Sequence, residues 1–396
     1  MKPTVSCAVC ITALTTALAF SQIPDGFELE QITADSYYDV GISINECGQI
    51  VFTKRLGNSW SAAEIFLYDN GKTTRVTQNA DRETGPDINN LGEIVWARGM
   101  GEDGVTQIIL YVSGSEYLVA QNPRAATSPA INDASEIVWD EWWDTGCERS
   151  DADVLKLGTE HPVRISDGTN TNQSPQINSL GSTVWTDYDF CPDPWESMIW
   201  LYDGASSQVI SDERMSQPQV PANNETGQIV WMATEARNML WKWENGIAER
   251  LTDWGSNPRI NSRGDVVFYR WDDSIRRPHT WLYRDGEFLQ LTTGPYKYWV
   301  PDINEYSEVT IRMDYSTFSS DVLFMRRMRT GEADFDGDID LTDYRKFADC
   351  LSGVDFLDRN RVYPTDTLCE CRFLDIDHDN DVDLADWAKF QNAFAP

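Results

Sequence analysis

Short, largely apolar runs, each ending in a bulky residue, recur along the chain between clusters of turn-forming residues. Ile50-Val51-Phe52, Ile94-Val95-Trp96, Ile137-Val138-Trp139, Thr183-Val184-Trp185, Ile229-Val230-Trp231 and Val266-Val267-Phe268 are six of them. Runs this short, rich in β-branched and aromatic residues and bounded by Gly, Asn and Pro, predict strands. An Asn precedes each at constant distance: Asn45, Asn89, Asn132, Asn178, Asn224 and Asn261; a degraded seventh copy runs from Asn304 to Ile311. The third residue after each Asn is Gly, except at Ser135 and Ser307. Asn first and Gly fourth is β-turn chemistry, so the Asn residues are assigned to tight turns joining two strands, not to a ligand.

Each copy divides into four strands. An inner one, such as Pro86-Asp87-Ile88, precedes the Asn, and the apolar–aromatic run follows it. A third resembles Ile65-Phe66-Leu67-Tyr68 or Ile199-Trp200-Leu201-Tyr202, and a fourth Arg75-Val76-Thr77, Arg164-Ile165-Ser166 or Arg250-Leu251-Thr252. Successive Asn residues are 44, 43, 46, 46, 37 and 43 apart. A period of ~40–45 residues built of short strands is the signature of a β-propeller, here seven-bladed. Inner strands outnumber fourth strands downstream of them by one. The missing partner lies ahead of the first copy, at Glu30-Gln31-Ile32-Thr33, so the N-terminal strand is expected to complete the last blade and remove two exposed edges.

The Pro-x-aromatic/apolar-Ser/Asn-x-x-Gly inner hairpin and the Arg-Leu-Thr outer strand resemble the TolB-type propeller repeat over about residues 27–329. The fifth copy, Val220-Pro221-Ala222-Asn223-Asn224, is irregular, and TolB's extra N-terminal domain has no counterpart here. The resemblance implies architecture and carries no activity.

The ends differ from the middle. Met1-Lys2 followed by an uncharged, mostly apolar run from Val5 to Phe20, with Ala17-Leu18-Ala19 as a small-x-small site, predicts a signal peptide over residues 1–19 and an exported protein, secreted or at the cell surface. No later segment has the ~18 apolar residues of a membrane span. From Gly331 to Pro396 there are 17 acidic and 6 basic residues, and the acids are patterned. Asp375, Asp377, Asp379, Asp383 and Asp386 stand at positions 1, 3, 5, 9 and 12 of a twelve-residue loop, with Asp381 at position 7 offering its carbonyl. Hard oxygen donors at this spacing select Ca²⁺. Glu332, Asp334, Asp336, Asp338, Asp340 and Asp343 repeat the register 43 residues earlier, with a longer Glu arm first. Each loop runs into a helix: Leu341, Tyr344, Phe347 and Leu351, then Leu384, Trp387, Phe390 and Phe394, form apolar stripes assigned to core.

A duplicated Ca²⁺ loop and helix with Asp343 and Asp386 at position 12 resembles a dockerin, over residues 331–396. The resemblance implies two bound Ca²⁺ and a cohesin-like secreted or surface protein as partner. The linker between the loops is longer than in dockerins proper and holds Cys350, Cys369 and Cys371. Cys350 is expected to pair with Cys369 or Cys371, stapling a module too small for a large core.

Charge and chemistry narrow the function. The chain has 64 acidic and 32 basic residues, a net charge of −32, which repels nucleic acid and anionic lipid. The loops after the second strands of the third and fourth copies gather Trp142, Trp143, Asp144 and Cys147, and Tyr188, Cys191 and Trp195. Their similar register predicts a Cys147–Cys191 bridge, and the aromatics and carboxylates suit a sugar or a peptide. Trp139 and Trp185 are assigned to packing. Asp87, Gln176, Arg259 and Asp302 share one inner-strand position, a set too mixed for paired-carboxylate catalysis, with Arg259 and Asp302 placed to pair across adjacent blades. No Gly-x-Ser-x-Gly elbow is present, and His161 and His279 stand alone, so neither a propeller peptidase nor a His-built metal site is expected. The resulting expectation is an exported, non-catalytic binding or scaffold protein, and the alternative is a carbohydrate-active enzyme carrying a dockerin.

Overall fold

The computed structural model describes residues 23–393 except 25, 58–62, 101–104, 123–124, 145–149, 159–160, 169, 191–195, 212–214, 236, 329–330, 332–338, 352–370 and 378–381. The expected signal peptide, residues 1–19, lies outside the described residues. The described chain is mostly strand, with two helices near the C terminus, α1 (Leu341–Cys350) and α2 (Leu384–Ala393). None is long and apolar enough to cross a membrane.

The strands of each repeat form an antiparallel meander in chain order. Three repeats stand as separate four-stranded sheets, beginning at Arg82, Gln219 and Ser256. The other strands form two eight-stranded sheets, each joining neighbouring repeats through a single parallel contact, Ala152 to Thr171 in one and Tyr38 to Ser320 in the other. The strand Phe27–Gln31 pairs antiparallel with Ser319–Arg327, from Phe27 opposite Arg327 to Gln31 opposite Leu323. Thr33, just past it, accepts the Val322 N–H on its hydroxyl at 2.9 Å. Thr77 does the same for Ile65 and Thr292 for Thr280, both at 2.9 Å. The N-terminal strand therefore holds an outer-strand position, as its Gln-Ile-Thr ending predicts.

The aromatic closing each second strand is buried: Phe52, Trp96, Trp139, Trp231 and Phe268 are 0% exposed and Trp185 is 1% exposed. These rings lie between sheets. Trp96 packs with Val51 and Ile65 of the preceding repeat, and Trp139 with Val95 and Ile108. Each sheet thus buries its apolar face against its neighbour, and such aromatic burial dominates core energetics.

Every inner strand carries a register shift two to three residues before its end, as between Val40 and Ser43 or Trp299 and Asp302. The residue in the bulge has positive φ. It is Gly in the first two repeats (Gly41 at 58°, Gly85 at 60°), but Val220 at 53° and Val300 at 42° hold it in the fifth and seventh. A β-branched residue is strained there, so the bulge is imposed by the sheet rather than by local preference.

The turns carry a feature that repeat spacing does not reveal. The Asn45 amide nitrogen donates to the Asn89 carbonyl at 2.9 Å, Asn89 to Asn132 at 3.0 Å, and Asn132 to Asn178 at 2.9 Å. Asn178 donates to Asn224 at 2.8 Å, Asn224 to Asn261 at 2.8 Å, Asn261 to Asn304 at 3.1 Å, and Asn304 to Asn45 at 3.2 Å. Each side chain also accepts an N–H of its own turn, as Asn45 does from Gln49 at 3.0 Å. The buried amides are thereby satisfied at both ends.

Candidate metal centre and binding face

The two helices share a small core of Phe347, Cys350, Cys371, Leu374, Val382 and Phe390. Phe347 stacks near Trp387 and Phe390, at centroid distances of 5.3 and 5.1 Å. The helical stripes were expected to be core throughout, but Leu341, Tyr344 and Leu351 of the first and Leu384 of the second are exposed, leaving Phe347 and Phe390 fully buried. Phe394 lies outside the described residues. Cys350 is bonded to Cys371, with Cα atoms 5.5 Å apart. That settles the choice between Cys369 and Cys371 and corrects Cys369 as the partner: Cys350 and Cys371 both sit in the helical core.

In the second acidic loop, Asp375, Asp377 and Asp386 bring one carboxylate oxygen each to within 4.8 Å of one another, Asp375 and Asp386 being fully buried. The Asp386 carboxylate also accepts the Ile376, Asp377 and Asp383 N–H groups at 2.6, 3.0 and 2.9 Å. Asp383 caps α2 through the Ala385 N–H at 2.6 Å. The first loop repeats this: Asp343 accepts the Asp340 N–H at 2.8 Å, and Asp340 accepts that of Thr342 at 2.6 Å. Positions 9 and 12 therefore serve as helix caps in both loops, a sufficient reason for their acids. Capping does not explain Asp375 and Asp377, whose carboxylates converge on Asp386; such mutual repulsion is relieved by a hard divalent cation. Asp379 and Asp381 of this loop, and Glu332, Asp334, Asp336 and Asp338 of the first, lie outside the described residues.

The Asn-bearing turns mark one end of the sheets, and the loops after the second strands lie at the other. At that far end Trp142 is half-buried, its Nε1 donating to Asp140 at 3.1 Å and Thr127 at 3.2 Å. The Tyr188 hydroxyl meets Gln219 at 3.4 Å, and its ring stacks on Phe190 at 5.4 Å with an interplanar angle of 1°. Asp187, beside it, is pushed up to about 7 by burial. The side chains of Trp143 and Asp144, and Cys147, Cys191 and Trp195 altogether, lie outside the described residues, as does the expected Cys147–Cys191 bridge.

Sequence reasoning missed a second group at this end. Trp299 lies 5.1 Å from Tyr269 and 6.4 Å from Trp271, which is 45% exposed. The Arg312 guanidinium lies over Trp299 at 6.0 Å and Tyr38 at 5.6 Å, and that of Arg55 over Tyr38 at 5.2 Å and Phe318 at 5.6 Å. These residues come from the sixth, seventh and first repeats, and the first meets the seventh through contacts such as Tyr38 with Ser320. A third group, Asp35, Asp39 and Asp321, could hold a cation by distance alone. Lys54 already supplies one, its ammonium 2.5 Å from Asp35 and 3.8 Å from Asp39. Asp39 is nonetheless pushed up to about 7, because its complete burial outweighs Lys54.

The inner-strand carboxylates are occupied. Asp87 accepts the Ser43 hydroxyl at 2.7 Å and the Ile131 N–H at 2.9 Å, from the repeats on either side. Asp302 accepts the Ile44 N–H at 3.2 Å and faces Arg259 at 3.8 Å, the pairing expected from their positions. Gln176 bonds the neighbouring Pro175 carbonyl at 2.8 Å. Burial raises Asp87 and takes Asp302 up to about 6.

Among solved structures, the chain is similar to the β-propeller domain of the Trilobed protease from Pyrococcus furiosus, described as having an open velcro topology. The TM-score is 0.57 and the identity 13%, over 74% of this chain and 96% of that one. It is similar also to Pyrococcus horikoshii acylaminoacyl peptidase, with a TM-score of 0.57 and 12% identity over 74% of this chain; it spans about half the length of that peptidase, 52%. TolB from Acinetobacter baumannii is a weaker likeness, with a TM-score of 0.46 and 13% identity over 67% of this chain and 65% of TolB. No family model and no curated protein matches the chain. At such identities likeness speaks for fold alone, and the fold it shows for the repeats is the β-propeller.

Proposed function

We propose that the chain is an exported, non-catalytic binding protein. A seven-bladed propeller, closed by its N-terminal strand, presents its far end for recognition, and a dockerin-like Ca²⁺ module attaches it to another secreted or surface protein. The pairing of Phe27–Gln31 with Ser319–Arg327 and the return of the Asn series from Asn304 to Asn45 support seven blades and closure. The observation that carries the binding role is the far-end row of Trp271, Trp299, Arg312, Tyr38, Arg55 and Phe318. Flat rings backed by guanidinium groups, that of Arg312 neutralised by Asp314 at 2.9 Å, suit a glycan or a peptide.

The tail fits Ca²⁺: Asp375, Asp377 and Asp386 would hold it, and the metal would supply the charge that lets the loop fold. Leu341 and Leu384, exposed at matching places, offer a cohesin-like partner an apolar foothold. The alternative, a carbohydrate-active enzyme, is favoured by Asp187, a carboxyl near 7 beside the Tyr188–Phe190 stack. Calorimetric titration with neutral and uronic-acid polysaccharides, with reducing sugar assayed in parallel, separates the two. Binding without release of reducing sugar is expected; release would establish the enzyme.

A further inference from the structure

Glu308, in the turn of the last repeat, has a side chain only 1% exposed. A buried carboxylate needs a counter-charge. At the matching turn position of the sixth repeat, Asp265 is paired with Arg284 of its own repeat at 2.7 Å, and in the third Glu136 is paired with Lys156 at 2.7 Å. In the last repeat Arg326 is turned instead to Glu28 and Glu30 of the N-terminal strand, at 2.5 and 3.3 Å. Among the described residues, the cation paired with Glu308 is Arg372, from the C-terminal module.

The same guanidinium donates to the Glu46 carbonyl at 3.0 Å, in the turn of the first repeat. It lies over the rings of Phe373 at 4.3 Å and Tyr306 at 5.7 Å, and those rings meet edge to face at 4.7 Å. Gly48 is closed over it: a Cβ there would stand 2.5 Å from Arg372 Nη1. Between Glu46 and Gly48, Cys47 is disulfide-bonded.

We infer that the C-terminal module is a clasp across the closure seam, with Arg372 as its pin. The pin joins the turns of the first and last repeats, the two ends of the chain that the N-terminal strand brings together at the sheet edge. The clasp goes beyond the attachment role by giving the module a binding site on its own propeller. It also fixes the module against the turn end of the repeats.

Because Cys350 and Cys371 are joined to each other, the module has one further cysteine, Cys369, three residues before the pin. A glutamate-specific protease under non-reducing conditions cuts after Glu46, Glu332 and Glu370, leaving Cys47, the pair Cys350 and Cys369, and Cys371 in three different peptides, and Cys350 is already taken by Cys371. The clasp expects the peptide beginning at Cys47 to be linked to the one ending at Glu370; a link from Cys47 to Cys147 or Cys191 would overturn it. Hydrogen exchange on the full chain tests the pin. Arg372→Ala should speed exchange at the Gln49 and Glu308 amides by about tenfold or more, with Arg372→Lys partly restoring protection and Glu136 and Ser182 unchanged. Equal exchange at the seam in wild type and both variants would refute the pin.

Discussion

The side-chain amide of Asn304 donates to the backbone carbonyl of Asn45 at 3.2 Å, across 259 residues of sequence. That bond links the last turn to the first by the same contact that links Asn89 to Asn132 within the chain. A position that looks like routine turn chemistry in each repeat is therefore also the joint between repeats.

Replacing one of these Asn residues by Asp preserves the acceptor that organises its own turn and deletes the donor to the next. For Asn132→Asp the buried Asn178 carbonyl loses its donor from the preceding repeat, keeping only the Gly181 N–H of its own turn, and a charge enters beside Glu136, so a loss of roughly 2–4 kcal/mol is expected. Urea unfolding measures it; a loss no greater than that of an exposed turn substitution would show the inter-repeat bond to be incidental.

Trp139 and Trp142 lie three residues apart in one strand and should part company on mutation. Trp139 is 0% exposed, and Trp139→Ala should cost about 3–5 kcal/mol of stability. Trp142 is half-buried and tethered to Asp140, so Trp142→Phe should cost about 1 kcal/mol and weaken glycan or peptide binding at the far end. Thermal unfolding and titration of the same two variants test both halves of the contrast.

Calcium titration of the full chain by calorimetry should show two ions bound. Asp386→Ala should leave one, because it removes a carboxylate that meets both Asp375 and Asp377. Binding that is unaffected by Asp386→Ala would mean that the acids of this loop act only as helix caps.

Asp302 makes stability depend on pH. Its carboxyl is raised to about 6 from 3.8, so ionising it costs more in the folded than in the unfolded chain. That cost is present above pH 6 and disappears as the pH falls from 6 towards 3.8. Asp302→Asn retains an acceptor for the Ile44 N–H and removes the charge. Its melting temperature relative to wild type should be highest near pH 8 and decline as the pH is lowered to 4. A difference that does not change with pH would show that Asp302 is not held in its strained, ionised form.

Much of this was legible because propeller sheets reuse one local code. The Asn-x-x-Gly turns, the apolar–aromatic second strands and the Thr of the outer strand each depend on near neighbours in sequence, so a recurrence every 37 to 46 residues exposes them, as does the vacancy filled by Gln31-Ile32-Thr33. Asp87 and Asp302 were visible as carboxylates but not as acceptors, because their donors, Ile131 and Ile44, belong to neighbouring repeats. The row from Trp271 to Phe318 was invisible for the same reason: its members are scattered along the chain and converge only where the first and last repeats meet.

The sequence by itself determined the repeat, the strand type, the outer-strand character of residues 30–33 and the twelve-residue acid registers, since each follows from spacing along a single backbone. Only the tertiary structure decided that Cys350 joins Cys371, that Lys54 pairs with Asp35 and Asp39, and that Arg372 meets Glu308. Those are questions of which buried groups reach one another, and burial leaves each charge dependent on whichever partner the fold delivers.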